Sequence, residues 1–374
     1  LGDTFELALR AAQESGESDG ETRILHALGI IHATRDEVNK ALEYYTAGLT
    51  LSRESREPHL EARLLLDLGH AELARGQCDA AERRFHEALP LMRELGENSG
   101  ESAALAGLAQ VHRFRGRLRD AIRHVHYSLL IDGDHHSQAN RLLDLAMTVR
   151  DLGIFHPQPD ALADSAVRCF RQAARLFRIV GDKRNEMYAL TGVAGCRTEQ
   201  GRPQEARALG EHALAVFQEI GYADGETLAR RVLGMAHLSE GNAEAAIETL
   251  RDSLRSEQVL DEPSSPESGH STMSRLPGEG AHPGLRQQGR SLYHLGVAFN
   301  SLGRSAEAAH CCRRSAEIAR KLGPVHWTIP PLRMLAELDA EHGERNRTGR
   351  ISDEIRRINA VIELPSGCGD SGEC

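Results

Sequence analysis

Gly16-Glu17-Ser18-Asp19-Gly20 has the spacing G-x-S-x-G, in which a serine on a sharp strand-to-helix turn serves as a nucleophile. No buried-strand pattern precedes it, so a plain inter-helix turn is expected there. Asp132, Asp134, His135 and His136 bunch in one loop and offer oxygen and nitrogen ligands for a metal. The same loop also reads as a solvated turn before a helix capped by Ser137. His124 and His126 stand two apart on a helix, on nearly opposite faces, and cannot jointly hold a metal. Cys311-Cys312 put one thiol at a core position, where a structural role is expected over a redox one. The chain has neither a G-x-x-x-x-G-K-[ST] phosphate loop nor H-E-x-x-H. No catalytic and no metal-binding set is therefore expected. What remains is guanidinium chemistry: Arg113, Arg115, Arg117 and Arg119 crowd the run HRFRGRLRD, and arginine forks match carboxylates and phosphates.

The elements that carry these groups are visible in residues 59–96, HLEARLLLDLGHAELARGQCDAAERRFHEALPLMRELG. Leu65, Leu68, Gly69 and Leu73 follow helical period, Gly76 breaks it, and a second helix runs through Ala81, Phe85, Ala88 and Leu89. The Leu-Gly pair recurs as Leu28-Gly29, Leu68-Gly69, Leu108-Ala109, Leu145-Ala146, Val193-Ala194, Leu233-Gly234, Leu295-Gly296 and Leu335-Ala336. The intervals are 40, 40, 37, 48, 40, 62 and 40 residues. Eight residues after each anchor stands a breaker, Gly in all but Asp36, and the second helix repeats a small residue such as Gly48, Ala88, Ser128, Ala213, Ser253 or Ser315. Small side chains at fixed spacing are what close helix crossings require. The fold expected is all-α, a right-handed solenoid of about eight helical hairpins.

Length and composition fit. A chain of 374 residues suggests two or three domains, but a solenoid grows by stacking rather than by adding separate cores. A net charge of −10 argues against the chain being itself a nucleic-acid surface. No run of 18 apolar residues exists and no signal peptide precedes the repeats, so neither membrane nor export is indicated. The seven cysteines, an odd number without CxxC spacing, fit a reducing cytoplasm.

Along the chain, residues 1–15 read as the second helix of a preceding, truncated repeat, as if the chain were cut from a longer protein. Six repeats follow over 20–256, the fourth carrying an inserted loop IFHPQPDA. Residues 257–285, rich in Pro, Ser and Gly, read as a disordered linker. Two more repeats occupy 286–363 and end on a capping helix marked by Ile351, Ile355, Ile358 and Ile362; the tail 364–374 is expected to be disordered.

The pattern L-x-x-L-G-x-x-H … G-x-x-x-x-A-x-x-x-F-x-x-A-L in residues 65–89 resembles the tetratricopeptide repeat (TPR). Its period of 40 resembles the long subtype at the C-termini of actinobacterial STAND regulators, some of them headed by a SARP DNA-binding domain and an NB-ARC nucleotide switch. The linkers ELG and IVGDKRNE add to that likeness. The resemblance implies that the first helix of each hairpin lines a concave groove. It places Arg23, Arg63, His70, Gln110 and Arg113 there from the first three hairpins, and Asn140, Arg150, Arg231 and Arg290 from later ones. His26, Thr198, Asn300 and Arg333 fall on the same face. Such a lining suits an acidic or phosphorylated peptide or protein, although charge on a helical surface also reads as a plain solvated face.

The function expected is an effector-sensing, partner-binding arm of a cytoplasmic transcription regulator, with no enzyme activity of its own. No cofactor is expected within these residues; ATP or ADP with Mg, and contact with DNA, would belong to upstream domains, and the switch domain would be an intramolecular partner. The alternative is a stand-alone TPR adaptor or peptide receptor.

Overall fold

The computed structural model of this protein describes residues 2–15, 18–35, 37–131, 133–156, 158–258, 283–322 and 324–362. Gly16, Glu17 and Asp132, most of the 257–285 linker and the 364–374 tail lie outside the described residues.

The described elements are seventeen α-helices and one 3-10 turn. After α1 (Gly2–Ser15) come four hairpins: α2 (Ser18–Thr34) with α3 (Val38–Ser55), α4 (Pro58–Ala74) with α5 (Cys78–Glu94), α6 (Asn98–Phe114) with α7 (Leu118–Leu130), and α8 (His135–Gly153) with α9 (Pro159–Ile179). Four more follow: α10 (Lys183–Glu199) with α11 (Pro203–Glu219), α12 (Ala223–Ser239) with α13 (Ala243–Gln258), α14 (Pro283–Ser301) with α15 (Ser305–Leu322), and α16 (Ile329–Glu341) with α17 (Arg345–Val361). The 3-10 turn, Val325–Thr328, leads into α16. This is the all-α solenoid of hairpins that the repeat spacing implies.

Local chemistry sets the helix ends. Pro58, Pro159 and Pro203 open α4, α9 and α11, where the missing N–H costs no hydrogen bond. Asp182 caps α10 by accepting the Asn185 N–H at 3.0 Å. Gly76 leaves α4 with φ 76°, and the N–H of Gln77 turns back to the Glu72 carbonyl at 2.9 Å. A residue without Cβ takes that left-handed conformation without steric penalty. Arg56 holds the corresponding place after α3 with φ 57°. Gly153 departs from the expected series: it remains the last residue of α8, outside the positive-φ set. The break moves into the inserted loop, whose last residues are taken up by α9 from Pro159.

The Leu-Gly anchors have a steric cause. A Cβ at Gly69 would stand 2.7 Å from the Phe85 ring, and one at Gly107 would stand 2.4 Å from the same ring. Phe85, on the second helix of its hairpin, is thus wedged between first helices of successive hairpins and is fully buried. Gly29 with Tyr45 and Gly234 with Leu250 repeat the arrangement at the same separation along the chain. The small residues of the second helices meet polar partners: Ser128 lies 2.9 Å from Ser102, and Ser253 lies 2.9 Å from Ser291.

The chain divides into two compact units, Leu1–Val111 with Ala121–Asp144 and Pro263–Pro283, and His112–Asp120 with Leu145–Glu262 and Gly284–Cys374. In the second unit one core gathers Leu250, Leu295, Phe299 and Leu338, and another gathers Cys312, Ile329, Leu332 and Leu335. Ile358 and Ile362 of the terminal apolar stripe are buried in the latter, with Ile351 and Ile355 partly buried against it.

Candidate ligand-binding site

Within the first unit the groove residues stand apart from one another. Arg23, Arg63 and His70 are exposed, His70 meeting the Phe85 ring edge-on at 5.0 Å. Gln110 is buried and its Nε2 donates to Asp144 Oδ2 at 3.4 Å, while Asn140 is half-buried. His26 Nε2 lies 2.6 Å from Asp67 Oδ2. These pairs join one hairpin's first helix to the next one's: α2 to α4 and α6 to α8.

The second unit brings the others together. Arg113 of α6 sends Nε and Nη2 to Asp151 Oδ2 of α8, at 2.9 and 2.8 Å. His326 Nε2, from the 3-10 turn, lies 3.1 Å from the same oxygen. Arg150 sends Nε and Nη2 to Glu199 Oε1 of α10, at 3.0 and 2.6 Å. Arg231 of α12 is 2% exposed, with Nη1 3.8 Å from the Met235 sulfur. Arg290 of α14 lies over the Trp327 ring at 4.9 Å, and Arg113 lies 5.8 Å from that ring's centroid. Arg113, Arg150, Arg231 and Arg290 thus line one recess together with Tyr188. Arg113 and Arg231 are buried here, where the repeat geometry implies open groove positions, because carboxylate, sulfur and aromatic partners close over them.

The electrostatics follow from this crowding. Burial alone would raise the Asp151 carboxyl, but Arg113, His326 and Arg290 outweigh it and hold it far below the usual carboxylate range. Burial opposes charge on Arg150, and Glu199 more than restores it, so its guanidinium is held above its ordinary value. Arg290 is pushed down to about 10 by burial and by Arg150 beside it. His294 falls well below its ordinary value, first through burial and then through Arg231, Arg290 and Arg150. Four guanidiniums thus face two carboxylates, and the surplus is positive.

Beside this cluster lies a cavity of about 450 Å³, bounded on its polar side by Arg150, Asp151, Glu199, Arg290 and His294. Its apolar walls include Met235, Tyr293, Trp327, Pro331 and Met334. Arg333 and Glu337, both exposed on α16, also border it. Reading the first helices at fixed offsets finds the arginines but misses Trp327, which sits before α16 in a turn outside the repeat register. The signal for it was the only tryptophan in the chain, followed closely by Pro330-Pro331.

The other sequence candidates resolve differently. Asp134, not Ser137, caps α8: its Oδ1 accepts the Ser137 N–H at 2.9 Å and its Oδ2 the Ser137 hydroxyl at 2.8 Å. The aspartate sits three residues before that N–H, where its carboxylate reaches an otherwise unsatisfied donor. Among the described residues no group of three or more His, Cys, Asp or Glu is placed to hold a metal ion. Ser18 is simply the first residue of α2. Cys311 and Cys312 are buried, and burial pushes their thiols up to about 11 and about 12, away from the reactive thiolate.

Residues 60–125 and 185–257 match one sequence profile of the tetratricopeptide repeat, and 289–322 match another. These segments are tetratricopeptide repeats. TPRs are scaffolds for protein interaction, and the chain carries them in both compact units. Among solved structures, a Rap protein complexed with competence and sporulation factor is similar over 97% of this chain and 99% of its own, with 12% identity and a TM-score of 0.59. A TPR protein from Parabacteroides merdae covers 83% of this chain and 98% of its own, at 13% identity and a TM-score of 0.49. A STAND protein with a TPR sensor from Pyrococcus horikoshii covers 87% of this chain and 47% of its own, at 15% identity and a TM-score of 0.44. The Rap likeness establishes kinship of fold. No curated protein matches the chain in sequence. Among the described residues no helix is long and apolar enough to cross a membrane.

Proposed function

We propose that this TPR array is the effector-sensing, partner-binding region of a cytoplasmic multidomain regulator of the SARP/STAND type, and that an anionic group of the effector is received by the arginines of the second unit. The observation that carries this is the meeting of Arg113, Arg150, Arg231 and Arg290, from four different hairpins, around two carboxylates. Charge that merely solvates a helix faces water, whereas this charge is largely withdrawn from it. The exposed Arg23, Arg63 and His70 extend the partner-facing surface in the first unit. The Rap protein's complex with competence and sporulation factor supports a fold of this kind taking a ligand.

The mechanism is a population shift. An effector changes the regulator only through unequal affinity for two arrangements. Asp151 ties α6 and α8 to the turn at His326, and Arg290 ties α14 to the same turn through Trp327. An anion drawn to these guanidiniums competes with those ties and alters the packing of the last hairpin. A nucleotide switch with ATP or ADP and Mg, and a DNA-binding domain, would lie upstream and read that change.

The coding sequence upstream of Leu1 tests the assignment. A phosphate-loop motif preceded by a winged-helix pattern is expected. A start codon within one helix of Leu1 would overturn the regulator reading and leave a TPR adaptor.

A further inference from the structure

Arg290 is the one guanidinium of the cluster that combines two properties. Among the described residues it stacks on Trp327 and makes no hydrogen bond to a carboxylate. Asp151, which acts on it electrostatically, is already engaged by Arg113 and His326, and Glu199 by Arg150. Its side chain forms part of the cavity wall. A half-buried cation without a hydrogen-bonded carboxylate, facing an open space, is an anion site in waiting.

The cavity around it limits what the anion can be attached to. At about 450 Å³ it lies in the lower part of the range, roughly 300–1,000 Å³, that takes single small molecules. That is too little for a helix or a folded surface. The apolar walls are the Trp327 ring on which Arg290 stacks, the Tyr293 ring, the Met235 and Met334 thioethers, and Pro331. Methionine and aromatic walls accept apolar bodies of varied shape. At the border, Arg333 and Glu337 stand one turn apart on α16 and offset one another. Of the other charges on the wall, Arg150 is paired with Glu199 and Asp151 with Arg113, so Arg290 is left to be met by one negative charge rather than by a phosphate dianion.

We infer that this cavity binds a compact monoanion with an apolar body, a carboxylate on a hydrocarbon or at the end of a short apolar peptide, with the carboxylate on Arg290 and the apolar part against Trp327, Tyr293 and Met334. The inference rests on the reading of the arginine cluster as an effector site and names the chemistry of the effector. His294, which burial and then the surrounding arginines keep neutral, is the polar neighbour that can donate one hydrogen bond to the same carboxylate without adding charge.

Isothermal titration calorimetry on the whole chain tests this with four probes: decanoate, decanamide, an N-acetylated trileucine with a free C-terminus, and an acetylated, amidated hexaglutamate. At least one of the two compact carboxylates is expected to bind at least about tenfold more tightly than decanamide. Arg290→Met should remove that preference while leaving decanamide unchanged, and Met334→Trp, which fills the cavity and keeps the charges, should weaken both. Whichever of decanoate and the tripeptide binds identifies the source of the carboxylate. Equal binding of decanoate and decanamide, or a preference that survives Arg290→Met, overturns the inference. Hexaglutamate bound through Arg290 while both compact carboxylates fail would overturn it and leave the effector site standing; failure of all the anions would remove both.

Discussion

The Arg290 guanidinium lies 4.9 Å from the centroid of the Trp327 ring, and this contact joins α14 to the turn that precedes the last hairpin. Among the described residues it makes no hydrogen bond to a carboxylate, and Asp151 acts on it only electrostatically. A stacked cation contributes about 0.5–2 kcal/mol, against which stands the cost of burying the charge. Arg290→Met should therefore change the urea-unfolding free energy by less than about 1 kcal/mol, in either direction. A loss much larger than that would make Arg290 a structural residue.

Asp151 should behave in the opposite way. It serves Arg113 and His326 at once in a buried setting, so Asp151→Asn strands a buried guanidinium and should cost about 3–5 kcal/mol. The folded carboxyl is held below the unfolded value of about 3.9, so its stabilisation is present above that pH and is lost as pH falls below it. In urea titrations at a series of pH values, the variant should show a shallower loss of stability below pH ~4 than the wild type. Parallel curves would mean that Asp151 is not ionised in the folded protein.

His294 gives a second pH signature at a different place. Its folded value lies well below the unfolded one of about 6.5, so the unfolded chain takes up a proton first as pH falls. Stability contributed by the neutral ring is full above that value and declines below it, by at most about 1.4 kcal/mol per pH unit. His294→Gln should flatten the wild-type decline between about pH 6.5 and 5. An unchanged slope there would place the ring in contact with water rather than among arginines.

Gly69 tests the packing of the repeats. A single methyl at this position would stand 2.7 Å from the Phe85 ring, and Gly107 blocks the ring's retreat on its other side. Gly69→Leu should cost roughly 1–3 kcal/mol by overpacking, and Gly69→Ala should fall at the low end. Because neighbouring repeats couple in series, the loss should appear as earlier unfolding of the N-terminal hairpins in a thermal scan. A Gly69→Leu variant melting like wild type would show that the ring does not occupy that notch.

The repeat was legible in the sequence because each unit obeys the same steric rule. A small anchor such as Gly29, Gly69 or Gly234 must face a bulky residue of the next helix, so spacing alone reports the contact. The arginines were legible for the same reason, since fixed offsets from the anchors mark one face. Their burial was not legible. Asp151 and Glu199 lie on the first helices as well, but only adjacent stacking of those helices puts them opposite Arg113 and Arg150. Trp327 and His326 were hidden because their turn lies outside the periodic pattern, where no offset applies. Asp134 beside His135 and His136 also has the residue types of a metal site, and only the folded turn brings its carboxylate to the Ser137 N–H.

The central claim is that ligand recognition sits in the second unit, at Arg290 and Trp327. Hydrogen-exchange mass spectrometry of the whole chain with and without decanoate tests it most directly. Slowed exchange is expected at the first turns of α14, at residues 325–334 and at the end of α8, with residues 20–75 unchanged. Protection around Arg23, Arg63 and His70 instead, or protection nowhere, would contradict it.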